Sequence, residues 1–398
     1  MGKGANARMK LAARMEKLPP YLFLELDRII EQQRASGHDI INLGIGDPDQ
    51  PTPSHIVEAL KNAASQAQNH RYPNYLGGVN FRRTIAEWYE ARFQVSLDPL
   101  KETVGLIGSK EGIAHLTWAM AGPGDVVIVP SPSYPVYFTQ ALLAGAEVYS
   151  LPLVAENRFL PDYKAIPEDV LKRAKMLWVN YPNNPTGATA TLEHFAEAVE
   201  LCRQYDILLC SDLAYAEIGY DGYRAPSALQ VPGAKDVAIE FYSLSKPFNM
   251  TGWRIAAAVG NPTAVGALGT LKSNLDSGVF TAVQDAAIVA LKTDPVPFFQ
   301  SQSRIYQERR DIVLKALNEM GLGIPAPLST FYMWFPTPTG MTSSEASRFF
   351  VEEAKVVVAP GASYGDAGEG WLRISLTCPT DRLKEAMERM KGAVQRLS

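Results

Sequence analysis

Residues 242–260 read YSLSKPFNMTGWRIAAAVG. A β-rich run, 237–244, leads into Ser243, Leu244, Ser245 and then Lys246, and a second such run, 255–260, starts just after Arg254. A lysine amine at a strand end forms a Schiff base with an aldehyde cofactor when burial or a nearby cation lowers its pKa. Two serine hydroxyls and a guanidinium beside it suit a phosphate dianion. Taken alone, the stretch is better explained as a surface lysine in a polar turn, because short motifs match by chance. What surrounds it changes that balance.

Outward from this stretch the same kind of run recurs at 104–108, 125–130, 146–151, 175–180 and 206–211. Amphipathic stretches such as LEHFAEAVELCRQYD (192–206) lie between several of them. Strand alternating with helix predicts an α/β fold, a mostly parallel sheet flanked by helices on both faces. After about Lys292 the pattern changes to a long helical stretch, then FYMWFP (331–336), a helix, VVVAPG (356–361), WLRISL (371–376) and a final helix. That order predicts a smaller α+β domain, with the N-terminal segment packed against it. The expected division is a mobile N-terminal arm at 1–17, an N-terminal part of the small domain at 18–45, a large domain at 46–292 and a small C-terminal domain at 293–398.

Composition narrows the function classes. The chain has 398 residues with 46% hydrophobic and 20% charged, an ordinary globular balance. A formal net charge of −4 makes nucleic acid and anionic membrane poor partners. The three cysteines form no C-x-x-C and the five histidines are scattered, so neither a disulfide framework nor a metal centre is expected, and a reducing cytoplasm fits best. The basic N-terminus lacks the apolar core of a secretory signal, and no apolar run is long enough to span a bilayer.

Ligands of parallel α/β sheets lie beyond the carboxyl ends of the strands. Three further segments put polar residues there. In SDLAYAEI (211–218), Asp212 follows a strand and Tyr215 comes soon after. A covered carboxylate keeps a pyridine-type ring nitrogen protonated, and the tyrosine hydroxyl suits the ring's phenolic oxygen; a helix cap is the plainer reading. YPNNPTG (181–187) is either an ordinary turn or a loop that presents Asn184 to the same oxygen. GSKEGIAHL (108–116) opens a helix, so the backbone N–H groups of Gly108, Ser109 and Lys110 offer a phosphate seat, unless this is only a helix start.

With SLSK…GWR at Lys246, NNPTG at Asn184, D-x-x-Y at Asp212 and Tyr215, and R-I-S at Arg373, the chain from about Leu18 onward resembles the fold-type I, class I aminotransferases that use pyridoxal 5'-phosphate. The resemblance implies Lys246 as the lysine that carries the cofactor and shuttles the proton. It implies Asp212 on the pyridine nitrogen, Asn184 and Tyr215 on the phenolic oxygen, and Tyr134 stacked on the ring. Ser109, the Lys110 amide, Ser243, Ser245 and Arg254 are implied to hold the phosphate. Arg373 resembles the clamp for the substrate α-carboxylate, and Gly46 the glycine whose backbone approaches it. Tyr72, opening Y-x-x-x-x-G-x-x-x-x-R, resembles the tyrosine that reaches the phosphate of the neighbouring subunit, which implies a homodimer with shared active sites.

Within that superfamily, LPPYLF, NLGIGDPDQPTPSHI, GSKEGIAH, NYPNNPTGA and SKPFNMTGWR are most similar to the LL-diaminopimelate aminotransferases of lysine biosynthesis. The implied reaction is amino transfer between LL-diaminopimelate and 2-oxoglutarate. Alanine and aspartate aminotransferases are the alternatives. The stretch 272–281, which in aspartate enzymes brings an arginine to the distal carboxylate, contains none here. Tyr21, Lys110, Asn274, Asp276 and Thr281 are polar candidates for the far end of the donor; Tyr134 and Asn184 are also expected to contact the substrate. A carbon–sulfur lyase on the same fold is a further rival. A nicotinamide enzyme is disfavoured because no G-x-G-x-x-G follows the first strand.

Overall fold

The computed structural model describes residues 10–18 and 22–397. Tyr21 lies outside them. The first strand is β1 (Ile41–Asn42). Seven more follow: β2 (Thr103–Leu106), β3 (Val126–Ser131), β4 (Glu147–Pro152), β5 (Ala174–Val179), β6 (Leu208–Asp212), β7 (Ala238–Ser243) and β8 (Ala256–Gly260). They form one seven-stranded sheet in the order β2-β8-β7-β6-β5-β3-β4. Only β8 runs against its neighbours, β2 and β7. The sheet is therefore mostly parallel, as the alternation of strand and helix predicts.

Helix cover on both faces explains the sequence of the central strands. Every residue of β3, β6 and β7 is buried, so these strands are mostly apolar runs without alternation; Glu240, inside β7, is 0% exposed and accepts hydrogen bonds from Tyr89, Ser211 and Ser227. The edge strand β4 breaks that rule: Glu147 and Ser150 are exposed on it. The helix Ser109–Met120 packs close to β2, where small Gly112 faces the Leu106 side chain.

A second, three-stranded sheet follows in the chain. Its strands are β9 (Tyr332–Pro336), β11 (Ala359–Pro360) and β12 (Trp371–Ser375), with β12 in the middle and antiparallel to both. The short β10 (Val356–Val357) pairs instead with β1. VVVAPG thus feeds two sheets rather than forming one strand. The helix expected over 343–354 is α-helical only over Ser343–Phe349 and widens to a π-turn at Phe350–Ala354. One apolar cluster joins Ile41 and Leu43 to Val356, Leu372 and Met387 and reaches Tyr215 beneath the large sheet's ligand edge.

Parallel strands put their carboxyl ends on one edge. Asp212 closes β6, Ser243 closes β7, Asn180 follows β5, and Ser109 begins the helix after β2. Arg373, on β12, comes from the other sheet.

Candidate active site

Lys246 Nζ donates to the Gly46 carbonyl at 2.8 Å. Burial lowers its pKa to about 8, with repulsion from Arg373 and Arg254 adding to the shift and Asp47 opposing it. Its preference for charge is thus weaker than that of a surface lysine, and a larger fraction is neutral near physiological pH. Gly46 has no room for a side chain: a Cβ there would lie 2.0 Å from the Tyr332 hydroxyl.

Asp212 is 5% exposed. Its Oδ2 accepts the Tyr137 hydroxyl at 2.6 Å, while Oδ1 is buried without a partner. Burial pushes its carboxyl up to about 6, and the bonds from Tyr137 and the Ala214 backbone N–H pull the other way. A carboxylate held in this state is stabilised by a cationic N–H brought to Oδ1. Asn180 Nδ2 donates to the Asp212 carbonyl at 2.7 Å, and Asn180 Oδ1 accepts the Asn184 backbone N–H at 2.9 Å. One asparagine therefore sets both the β6 end and the NNPTG loop.

Arg373 is 2% exposed. Its Nη1 donates to Asn184 Oδ1 at 2.8 Å and its Nη2 to the Gly44 carbonyl at 2.6 Å, whereas Nε has no partner. The guanidinium lies 4.1 Å from the Tyr332 ring centroid and 4.9 Å from that of Tyr364. Because Asn184 Oδ1 faces the arginine, its Nδ2 end is the donor directed elsewhere. Tyr215 is buried, with its hydroxyl 3.2 Å from that of Tyr332.

The anion seat is equally specific. Gly108 has φ +75°, and a Cβ there would lie 2.0 Å from Arg254 Nη2. The guanidinium is thus pressed against the turn that opens the helix Ser109–Met120. Ser109 Oγ is buried without a partner. Ser243 Oγ accepts the Ser245 N–H at 3.1 Å, which folds the two serines around the strand end ahead of Lys246. Helix N–H groups, hydroxyls and a guanidinium make a seat for a phosphate dianion. The unpartnered Asp212 Oδ1 and Ser109 Oγ, with the buried Lys246 amine, fit the three ends of pyridoxal phosphate: ring nitrogen, phosphate and aldehyde.

The structure brings Lys246, Gly46, Asn184, Arg373, Tyr215 and Asp212 into one connected set of contacts through Asn180 and Tyr332. Tyr134 is half-buried and meets Tyr137 edge-on at 5.9 Å. Lys110 is exposed at the helix start. Tyr72 is 84% exposed and lies away from these contacts. Sequence reasoning missed Tyr137, Asn180, Tyr332 and Tyr364. Tyr137, just inside the helix that opens after Tyr134 and Pro135, carried no distinguishing signal; in the structure it stacks on Trp178 at 4.8 Å. Tyr332 had none either, because it meets Arg373 only through the register of β9 on β12.

The family model for aminotransferase class I and II matches residues 38–390. The chain is 53% identical over 386 residues to LL-diaminopimelate aminotransferase 2 of Nostoc sp. (strain PCC 7120), covering 97% of this chain and 99% of that relative. It is 53% identical over 387 residues to the LL-diaminopimelate aminotransferase of Desulforudis audaxviator, covering 97% and 98%. Among solved structures, substrate-bound BacF of Bacillus subtilis superimposes with a TM-score of 0.93 at 37% identity, over 96% of this chain and 98% of that one.

Proposed function

Because the chain belongs to the class I and II aminotransferases, we propose that it binds pyridoxal 5'-phosphate and transfers an amino group between LL-diaminopimelate and 2-oxoglutarate. The observation that carries the cofactor is the pair of buried, unpartnered atoms, Asp212 Oδ1 and Ser109 Oγ, at the ligand edge of the sheet that also carries Lys246. The donor rests on the relatives so named at 53% identity over nearly the whole chain.

The cofactor, when bound, supplies an electron sink for the charge left on the donor's Cα after deprotonation. Arg373 holds the α-carboxylate and so fixes which Cα bond faces the lysine. Lys246 Nζ removes the Cα proton; an amine with a pKa near 8 is matched to that task at neutral pH. Asp212 Oδ1 holds a proton on the ring nitrogen, and Tyr137 holds Asp212. Asn184 Nδ2 and the Tyr215 hydroxyl donate to the phenolic oxygen. Ser109, Ser243, Ser245, Arg254 and the Ser109 and Lys110 amides would hold the phosphate, and Tyr134 would pack against the cofactor.

We also propose a homodimer in which Tyr72 serves the neighbouring site; its 84% exposure is what such a role requires. The pairing of Ile41 with Val356 supports a small domain made of 18–45 and 293–398 against a large one at 46–292. Three buried thiols fit a reducing cytoplasm as the location. Among the described residues no helix is long and apolar enough to cross a membrane.

A donor screen with 2-oxoglutarate tests the reaction. Turnover of LL-diaminopimelate with poor use of alanine is expected, since a far end built for hydrogen bonds rejects a donor that leaves them unpaired. Efficient alanine exchange without diaminopimelate turnover would replace the donor and leave the cofactor chemistry standing. Pyruvate and ammonia released from a cysteine-type donor without any keto acid would favour a lyase.

A further inference from the structure

Lys272, on the helix Pro262–Leu275, has a side chain that is 0% exposed. Its ammonium lies 2.9 Å from Asp276 Oδ2 and 3.3 Å from Glu111 Oε2. His115 Nδ1 is 2.5 Å from Glu111 Oε1 and 3.8 Å from Asp276 Oδ2. Glu111, His115 and Asp276 offer ligand atoms within 4.8 Å of one another, a spacing a metal ion would accept. Lys272 already donates to two of the three, so the chain's own charge takes the cation's place. A charge buried this fully is costly unless matched, and here two carboxylates match it.

What the cluster joins gives it a role. Glu111 Oε2 also accepts the Ile107 backbone N–H at 2.8 Å, in the turn that leads to Gly108 and Ser109. Asp276 Oδ1 accepts the Gly278 backbone N–H at 2.7 Å. Gly278 packs on the 73–75 segment: a Cβ there would lie 2.9 Å from the Asn74 carbonyl and 3.3 Å from Tyr75 Cα. Gln284 closes the arrangement, its Oε1 accepting from the Gly78 N–H and its Nε2 donating to the Val279 carbonyl, each at 2.7 Å. A continuous run of contacts thus leads from this subunit's phosphate turn to the segment that carries Tyr72 and Tyr75, 84% and 45% exposed.

We propose that Lys272, Glu111 and Asp276 are positioning residues that act across the subunit boundary. They hold segments 72–75 and 276–281 in the geometry the neighbouring active site needs, and tie them to this subunit's own phosphate turn. The inference rests on the shared-site dimer proposed above. Asp276, a polar candidate for the donor's far end by sequence, is engaged by Lys272 and the Gly278 N–H, so in this reading it acts through the segments it holds, as Lys272 and Glu111 do.

Mixed dimers separate the two directions. Asp276→Asn keeps an acceptor for the Gly278 N–H and removes a charge from Lys272; Glu111→Gln does the same at the other end. In one arrangement a chain carrying Asp276→Asn and Lys246→Ala is paired with a native chain, so the only live site receives altered segments from its neighbour. In the other, a chain carrying Asp276→Asn alone is paired with a Lys246→Ala chain, so the live site receives native segments. Relative to a native and Lys246→Ala pair, the first arrangement is expected to lose about tenfold in kcat/KM for the amino donor through KM, and the second to stay near the reference. Glu111→Gln should repeat the pattern. Equal losses in both arrangements, with a lowered Tm as the main change, show a purely structural cluster and overturn the proposal, as does loss confined to the second. Failure of Tyr72→Ala and Lys246→Ala chains to complement each other sinks the shared dimer itself, and this inference with it; that outcome is read without altering the cluster.

Discussion

Arg373 Nη1 donates to Asn184 Oδ1 at 2.8 Å, bridging the small sheet and the NNPTG loop of the large one. The residue proposed to hold the donor's carboxylate and the residue proposed to hold the cofactor's phenolic oxygen are therefore one hydrogen-bonded unit.

Arg373→Lys replaces a planar fork with a point charge and also breaks the bond to Asn184. Each charge-assisted bond is worth about 1.5–3 kcal/mol, so kcat/KM is expected to fall roughly 10- to 100-fold for every amino donor alike. Steady-state kinetics on three chemically different donors checks this. A loss confined to one donor would remove Arg373 from the α-carboxylate.

Lys246→Ala is expected to abolish turnover, and borohydride treatment of the native holoenzyme to fix the cofactor on Lys246, read by peptide mapping. The amine's lowered pKa adds a pH signature. It is neutral, and so nucleophilic, above about 8, so capture of the cofactor by the apoprotein should speed up as pH rises to that value and then level off. A rate still climbing towards the ordinary lysine pKa would show that burial is not acting on Nζ.

Asp212→Asn is expected to slow proton abstraction by orders of magnitude in the holoenzyme, each tenfold being about 1.4 kcal/mol of lost carbanion stabilisation. Its effect on the apoprotein has the opposite sign. The folded-state pKa of Asp212 is raised from 3.8 to about 6, so its contribution to stability is fully present below 3.8 and is lost as pH rises through 6. Asparagine does not titrate. Between pH 4 and 8 the apo variant should therefore gain on the native apoprotein by up to about 2–3 kcal/mol. Urea melts of both apoproteins at pH 5 and 8 decide it; parallel curves would place the native carboxylate in contact with water.

Tyr72→Ala and Lys246→Ala chains, each inactive as homodimers, should regain activity when mixed, because one hybrid site carries both native residues. Random pairing makes half the dimers mixed, with one intact site each, so recovery of about a quarter of native activity is the ceiling expected from two-fold assembly. No recovery in verified mixed dimers would place Tyr72 outside the neighbouring site.

The central runs of the large sheet were legible because strands covered on both faces are mostly apolar, and because the residues just past them sit on one edge whatever the loops do. That is why Lys246, Asp212, Asn184 and Ser109 stood out one by one, with the chemistry their side chains permit. Tyr137, Asn180 and Tyr332 did not, since an aromatic or an asparagine at a strand or helix end has many ordinary uses. The sequence by itself determined the fold class and the family, and singled out the side chains proposed to react, all properties of local pattern and residue chemistry. The tertiary structure alone decided which groups became abnormal: that Asp212 keeps one buried, unpartnered oxygen, that burial lowers the Lys246 pKa, and that Lys272 is buried between Glu111 and Asp276. Those are effects of desolvation and of contacts between residues distant in the chain, and they exist only once the sheets have packed.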